Sequence, residues 1–329
     1  MLVQKRSQIH GLDAFRALLS IWVYLFHVLA DSNGSVFESY PNLSKIIHKG
    51  YLGVDGFFSL SGFIMTHVYL ESFAEFQSTG SFFKKYMKFI YFRFARIWPL
   101  FFLMSSFWVE GSIFGIFDRC SSSDFYKEVT FTTPFFKPEE GLGICNLPSW
   151  SIKNEVYAYF AFPFFNLLLE KINPSNKIFM NAFSIPAFYL LVENLKDWIW
   201  IIFAKDHPFG SKIFLGHFLD ISLFEFFAGM ALYRIYLKMP TKHKINDIIV
   251  LGLMSLIIHL VLNFDDASHY SKLMLFFPLF LAKMDSFLFY ILNSKIFIFL
   301  GEISYSIYLS HFLWIRYFLI KVWLLIFLI

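Results

Sequence analysis

Arg16 and His27 stand with ten residues between them in the stretch GLDAFRALLSIWVYLFHVLAD, Gly11 to Asp31, which is otherwise almost wholly apolar. Asp13, Ser20, Tyr24 and Asp31 recur with them at steps of three or four, which puts all six side chains on one face of a helix. At a rise of about 1.5 Å per residue, Arg16 and His27 lie roughly 16 Å apart along that face, so they serve two ends of an elongated site. Histidine takes and returns a proton near neutral pH, and arginine holds an anion. One polar residue on a membrane helix usually pairs with a neighbouring helix, whereas a whole stripe reads as the wall of a polar pathway.

Two carboxylates and two further arginines extend this set. Asp55, in GYLGVDGFFSLSGFIMT, is expected at about the depth of His27. Either it hydrogen-bonds the His27 ring and fixes its tautomer for general-base work, or it caps the helix start; the two readings stand level. Glu155, in PSWSIKNEVYAYFAFP, adds a third acid or base at the same outward level. Arg93 and Arg96 are one turn apart in YFRFARIWPLFF, where they either bind the phosphates of a nucleotide-like co-substrate or act as cytoplasmic anchors.

The elements that position these residues must be membrane helices. Of 329 residues, 57% are hydrophobic and 16% charged, mean hydropathy is +0.57, and several apolar runs reach the about 20 residues a span needs. The fold class expected is all-α: a polytopic transmembrane helical bundle of about nine or ten spans. We expect one membrane-embedded domain over residues 1–329, with an outward-facing loop at about 110–149. The net charge of +4 is spread among loops, so it reads as an orientation signal and not as a nucleic-acid footprint. The first apolar segment has no small-residue cleavage site and is expected to stay in the mature protein.

In chain order, Lys5 and Arg6 place the N-terminus in the cytoplasm. The second span is expected from about Tyr51 to Leu70, with Gly50, Gly53, Gly56, Ser59 and Gly62 offering small residues for close helix approach. A loop with Lys84, Lys85 and Lys88 precedes the third span, whose start Trp98 and Pro99 mark. The acidic region after Glu110, with Asp118, Asp124, Glu128, Glu139 and Glu140 against Arg119, Lys127 and Lys137, should face outward. It holds both cysteines, Cys120 and Cys145, as a disulfide or as two free thiols. Lys153 is read as pairing with a lipid headgroup.

The stretch Lys177 to Ala204 fits either two short spans or one crossing with a re-entrant piece. Phe214 to Tyr236 ends in the basic residues Arg234, Lys238, Lys242 and Lys244, which argue for the cytoplasm. Spans at about Ile248–Leu262 and Leu273–Leu292 follow, and Gly301 opens the last, where Ser304, Tyr308 and His311 share a face. His217 and His259 read as packing or interfacial residues.

The motifs taken together resemble acyltransferase family 3, the polytopic membrane acyltransferases that modify cell-surface glycans. Arg16 and His27 match its first-helix signature. Gly50 to Phe63 match its second, with Asp55 in place; Arg93, Arg96 and Pro99 match its third. Trp150, Ser151, Glu155, Tyr159 and Pro163 match its fourth, and Gly301 to His311 match the closing Gly-x-Ile-Ser-Tyr-Ser-x-Tyr-Leu-x-His. The matches come in family order across nearly the whole chain. Lys153 and Asn154 depart from the family, standing where small or apolar residues are usual, and Ser310 replaces its usual Trp. Members with an added hydrolase-like domain after the last span are longer than this chain.

The resemblance implies transfer of an acyl group, most often acetyl, from cytoplasmic acetyl-coenzyme A to a hydroxyl of a cell-surface or lipid-linked carbohydrate, in a bacterial inner membrane and without a metal. On that reading His27, Asp55 and Glu155 carry the catalysis, with a covalent acyl-His as the variant route. Arg16, Arg93 and Arg96 hold the donor, and Trp150, Ser151, Tyr305 and His311 meet the acceptor. The competing class is a proton-coupled transporter, which a stripe of Arg, His and Asp also describes. A transporter should carry internal repeats, and none relates the two halves.

Overall fold

The computed structural model describes residues 9–32, 37, 39–75, 78–113, 120–132, 145–203, 219, 222–239, 245–266, 271–283 and 287–327. Among them every regular element is helical. Lys5, Arg6, Asp118, Arg119, Lys137, Glu139, Glu140, His217, Lys242 and Lys244, named above, lie outside the described residues. Two compact units are formed, a terminal unit of Ile9–Phe57 with Lys242–Ile329 and a central unit of Phe58–Thr241.

The terminal unit is organised on α1 (His10–Asp31), as its long apolar stretch predicts. Short α2 (Pro41–His48) packs on it, with the Trp22 indole donating to the Ile46 carbonyl at 2.9 Å. The first turns of α3 (Leu52–Tyr69) approach α1 through the small residues expected there: a Cβ on Gly53 would press on Val23 and the Leu19 carbonyl. Further along, α9 (Ile245–Asn263) is a continuous apolar helix, bearing an exposed His259. The span expected at Leu273–Leu292 is instead broken into a 3-10 turn, Ser271–Phe276, α10 (Phe277–Leu281) and α11 (Phe287–Leu292). Pro278 is the reason at the first break, because it lacks the N–H that would continue the preceding turn and suits the start of a new helix.

The last span is also divided. Gly301 closes α12 (Lys295–Glu302), and α13 (Ser304–Phe327) leaves it at a bend of 67°. The Ser304 hydroxyl donates to the Gly301 carbonyl at 2.7 Å, satisfying an acceptor that the broken helix leaves free. Gly301 lies against the Asp13 backbone so closely that a Cβ would strike it, which sets α12 tightly on α1.

In the central unit, α4 (Thr79–Ile113) begins well before the expected start. Lys84, Lys85 and Lys88 ride on it, and Pro99 lies inside it. Ser78 starts it, its Oγ accepting from the Ser81 N–H at 3.3 Å. Then come α5 (Ser122–Val129), α6 (Ser149–Ile172), α7 (Ile178–Phe203) and α8 (Phe224–Lys238). In place of two short spans, or one crossing with a re-entrant piece, Ile178–Phe203 form the one continuous helix α7. Gly62 on α3 and Gly229 on α8 bring these backbones into contact, since a Cβ on either would collide with the carbonyl of Phe226 or Ser59.

Cys120 and Cys145 are joined as a disulfide. On the helices that follow the two cysteines in sequence, Lys153 is fully buried and pairs with Glu128 at 3.0 Å, and Glu128 also accepts from the Ser149 hydroxyl. The headgroup reading of Lys153 is therefore overturned: a cation with no solvent access must be compensated internally. Its neighbour Asn154 donates to the Ser222 hydroxyl at 2.9 Å. Arg234, taken above as a cytoplasmic marker, is likewise buried at 1% exposure. It donates to Asn166 Oδ1 at 2.9 Å and to Glu170, which ties α8 to α6.

Among the described residues three helices are long and apolar enough to cross a membrane, Gly11–Asp31, Ile178–Lys196 and Asn246–Asn263, or four with the bent pair α12 and α13. The span count of nine or ten expected from the chain is not reached by this measure. Helices α3, α4 and α6 are long but carry buried or half-buried polar residues such as Asp55, Arg93 and Glu155 that lower their hydropathy.

Candidate functional site

Within the terminal unit, the polar stripe of α1 is turned largely toward protein. Asp13 and Arg16 form an ion pair at 3.7 Å. Ser20 donates to its own backbone, at the Ala17 carbonyl. Tyr24 meets His311 edge-on, with ring centroids 6.3 Å apart, and Asp31 pairs with Arg316 at 3.5 Å. Thus Tyr24, His27 and Asp31 all meet α13.

His27 is held by two contacts at one nitrogen. Its Nδ1 lies 3.0 Å from the Val23 carbonyl oxygen and 3.1 Å from His311 Nε2. Phe26 and Phe312 stand edge-on to its ring, with centroids at 4.9 Å and 5.5 Å. His311 is buried at 1% exposure, and its Nδ1 faces the Tyr308 carbonyl oxygen. Tyr305, on the same helix, is half-buried.

Of the two readings of Asp55, the hydrogen bond to His27 is not made. His27 Nδ1 is taken by Val23 and His311. Asp55 is buried at 5% exposure, and the charge acting on it is that of Lys272, with its own backbone N–H also engaging the carboxylate. Asp55 lies inside the first turns of α3, and the Lys272 charge that acts on it is one the sequence did not single out.

Within the central unit, Glu155 and Arg93 stand in one polar cluster. Glu155 accepts from Ser61 at 2.8 Å and from the Tyr159 hydroxyl one turn along its own helix. Arg93 donates to the Tyr69 hydroxyl at 3.0 Å and to Met65 Sδ at 3.7 Å, and its charge acts on Tyr159. Its third nitrogen, Nε, is buried without a hydrogen-bond partner. Arg96 is exposed. Ser61, Met65 and Tyr69 recur every fourth residue on α3, a period that marks one helical face and could have identified them.

Of the remaining candidates, Ser151 is buried and donates to the Pro148 carbonyl at 3.0 Å, so its hydroxyl serves the first turn of α6. Trp150 is half-buried beside it. His67, unremarked in the sequence, lies 3.1 Å from the Tyr233 hydroxyl. Arg16, His27, Asp55, Tyr305 and His311 belong to the terminal unit, and Arg93, Arg96, Trp150, Ser151 and Glu155 to the central one. Among the described residues, no three His, Cys, Asp or Glu side chains converge as metal ligands would.

A family model described as an acyltransferase domain matches residues 9–329. No curated protein matches significantly, nor does any solved structure.

Proposed function

The chain belongs to acyltransferase family 3, an integral membrane acyltransferase, and from that premise we propose that it moves an acetyl group from cytoplasmic acetyl-coenzyme A to a hydroxyl of a cell-surface or lipid-linked carbohydrate. The observation that carries this reading is the state of His27. It sits in an apolar membrane helix with Nδ1 engaged and Nε2 without a hydrogen bond among the described residues, as a general base requires.

The co-substrate would supply an activated acyl group as a thioester. Half-buried Arg93 and exposed Arg96 fit a phosphate-bearing molecule, because guanidinium donors match phosphate oxygens. Arg16, in the terminal unit at the other end of α1 from His27, is also assigned to the donor. Glu155, already accepting from Ser61 and Tyr159, is assigned to acceptor handling, as are Trp150 and Ser151 of the central unit and, separately, Tyr305 of the terminal unit. Asp55 is assigned an electrostatic part through Lys272 and not a direct hold on His27. A bacterial inner membrane is the setting assigned on this reading.

The test is binding and hydrolysis of acetyl-coenzyme A by the purified full chain in detergent, with Arg96→Ala and His27→Ala alongside. We expect wild type to bind, Arg96→Ala to bind more weakly, and His27→Ala to bind without turnover. Absence of any affinity in wild type would remove the thioester from the reading and turn attention to a proton-coupled transporter.

A further inference from the structure

The hydrogen bonds around His27 and His311 fix where their protons sit. A backbone carbonyl oxygen only accepts, so His311 Nδ1, which faces the Tyr308 carbonyl, must carry a hydrogen. In a neutral ring that leaves His311 Nε2 as an acceptor. The atom 3.1 Å from it is His27 Nδ1, which therefore donates. The Val23 carbonyl, 3.0 Å from the same nitrogen, independently demands the same hydrogen. Both constraints agree on one arrangement, with the Nδ1–H of His27 shared between a carbonyl and an imidazole. The opposite assignment, with His311 donating, would aim a bare His27 lone pair at the Val23 carbonyl oxygen.

From this geometry we infer that His311 is a positioning residue that locks His27 in its Nδ1–H tautomer, leaving the Nε2 lone pair for the acceptor hydroxyl. The inference rests on the reading of His27 as the base. His27 Nε2 takes the hydroxyl proton as the bond from that oxygen to the acyl carbon forms. It returns the proton to the departing thiolate as the carbon–sulfur bond breaks, so the ring ends neutral. While His27 is an imidazolium, its Nδ1–H bonds to Val23 and His311 strengthen, because the donor is then charged. His311 gives this support as a neutral acceptor, unlike the carboxylate that usually plays that part. The contact joins residues 284 apart in the chain, so the tautomer depends on α13 being seated on α1.

The experiment is nitrogen NMR of the full chain in detergent with nitrogen-15 histidine, the His27 signals being assigned by their loss in His27→Ala. Wild type should give a protonated Nδ1 and an unprotonated Nε2 at His27. His311→Leu should lose that preference and lower kcat by about 10²-fold or more with little change in KM, as expected when a base is presented in the wrong tautomer. His311→Gln, which keeps an acceptor in the form of a side-chain carbonyl, should restore both the tautomer and much of kcat, separating the role from mere packing. A wild-type His27 protonated at Nε2, a His311→Leu enzyme with unchanged kcat, or a folded His311→Gln enzyme as impaired as His311→Leu would each overturn the inference. Full activity of His27→Ala would sink the base reading instead, and the NMR answer on the tautomer would stand apart from it.

Discussion

Glu128 and Lys153 face each other at 3.0 Å with both side chains fully shielded from solvent. The pair joins α5 to α6, and Ser149 adds a hydroxyl to the same carboxylate. Taking two charges out of water is costly, and their attraction offsets that only when both are present. Removing one partner by Glu128→Gln or Lys153→Met should therefore destabilise the protein by about 3–5 kcal/mol. The double variant Glu128→Leu/Lys153→Met should recover most of the loss. Thermal unfolding in detergent checks this; a double variant as unstable as the singles would contradict it.

The disulfide closes a loop between residues 25 apart in sequence. Within that loop α5 is also held by Trp98, whose indole donates to the Val129 carbonyl at 3.1 Å, and by the Tyr157 hydroxyl at the Phe131 carbonyl. The double variant Cys120→Ser/Cys145→Ser should lose about 2–5 kcal/mol of stability, the range for removing a native bridge. Thiol counting under denaturing conditions should find no free thiol in wild type before reduction.

Gly62 and Gly229 have no room for a methyl group, because each would meet a backbone carbonyl that cannot move aside. Gly62→Ala or Gly229→Ala should separate α3 from α8 and cost about 1–3 kcal/mol or more. Gly252→Ala on α9 is the control, since nothing lies within 4 Å of its added Cβ. That change should be neutral or stabilising by about 0.5–1 kcal/mol through helix propensity. Equal losses at all three positions would refute the packing argument.

Arg93 and Glu155 divide the proposed donor and acceptor duties within one cluster, so their variants should fail differently. Arg93→Lys, which keeps the charge but loses the forked donors, should weaken acetyl-coenzyme A binding about tenfold or more. Glu155→Gln should leave donor binding unchanged and lower transfer to acceptor. Calorimetric titration with the donor, set beside a transfer assay, separates the two. Unchanged donor affinity in Arg93→Lys would count against its role.

The polar period of α1 was legible because a helix repeats every 3.6 residues and lipid excludes Arg and His from its other faces. For the same reason the small residues before and within α3 could be read as a close-packing face. Charge is less legible from composition alone. Lys153 looks like a headgroup anchor in sequence, and only Glu128 across the fold reveals it as a buried partner; the burial of Arg234 against Asn166 and Glu170 is equally hidden in sequence. Pro99 looked like a helix start, although α4 runs through it, while Pro278 does begin a helix. Proline signals a missing donor, and the surrounding packing decides whether the helix tolerates the gap.

The sequence by itself determined the family, the helical class and which face of α1 is polar, since these rest on local periodicity and on motifs that stand in order along the chain. Tertiary structure decided the partners: His27 meets His311 and not Asp55, and Arg93 reaches Tyr69. A hydrophobic pattern reports that a side chain points inward, but the residue it meets there depends on how helices distant in sequence are packed, which no local period encodes.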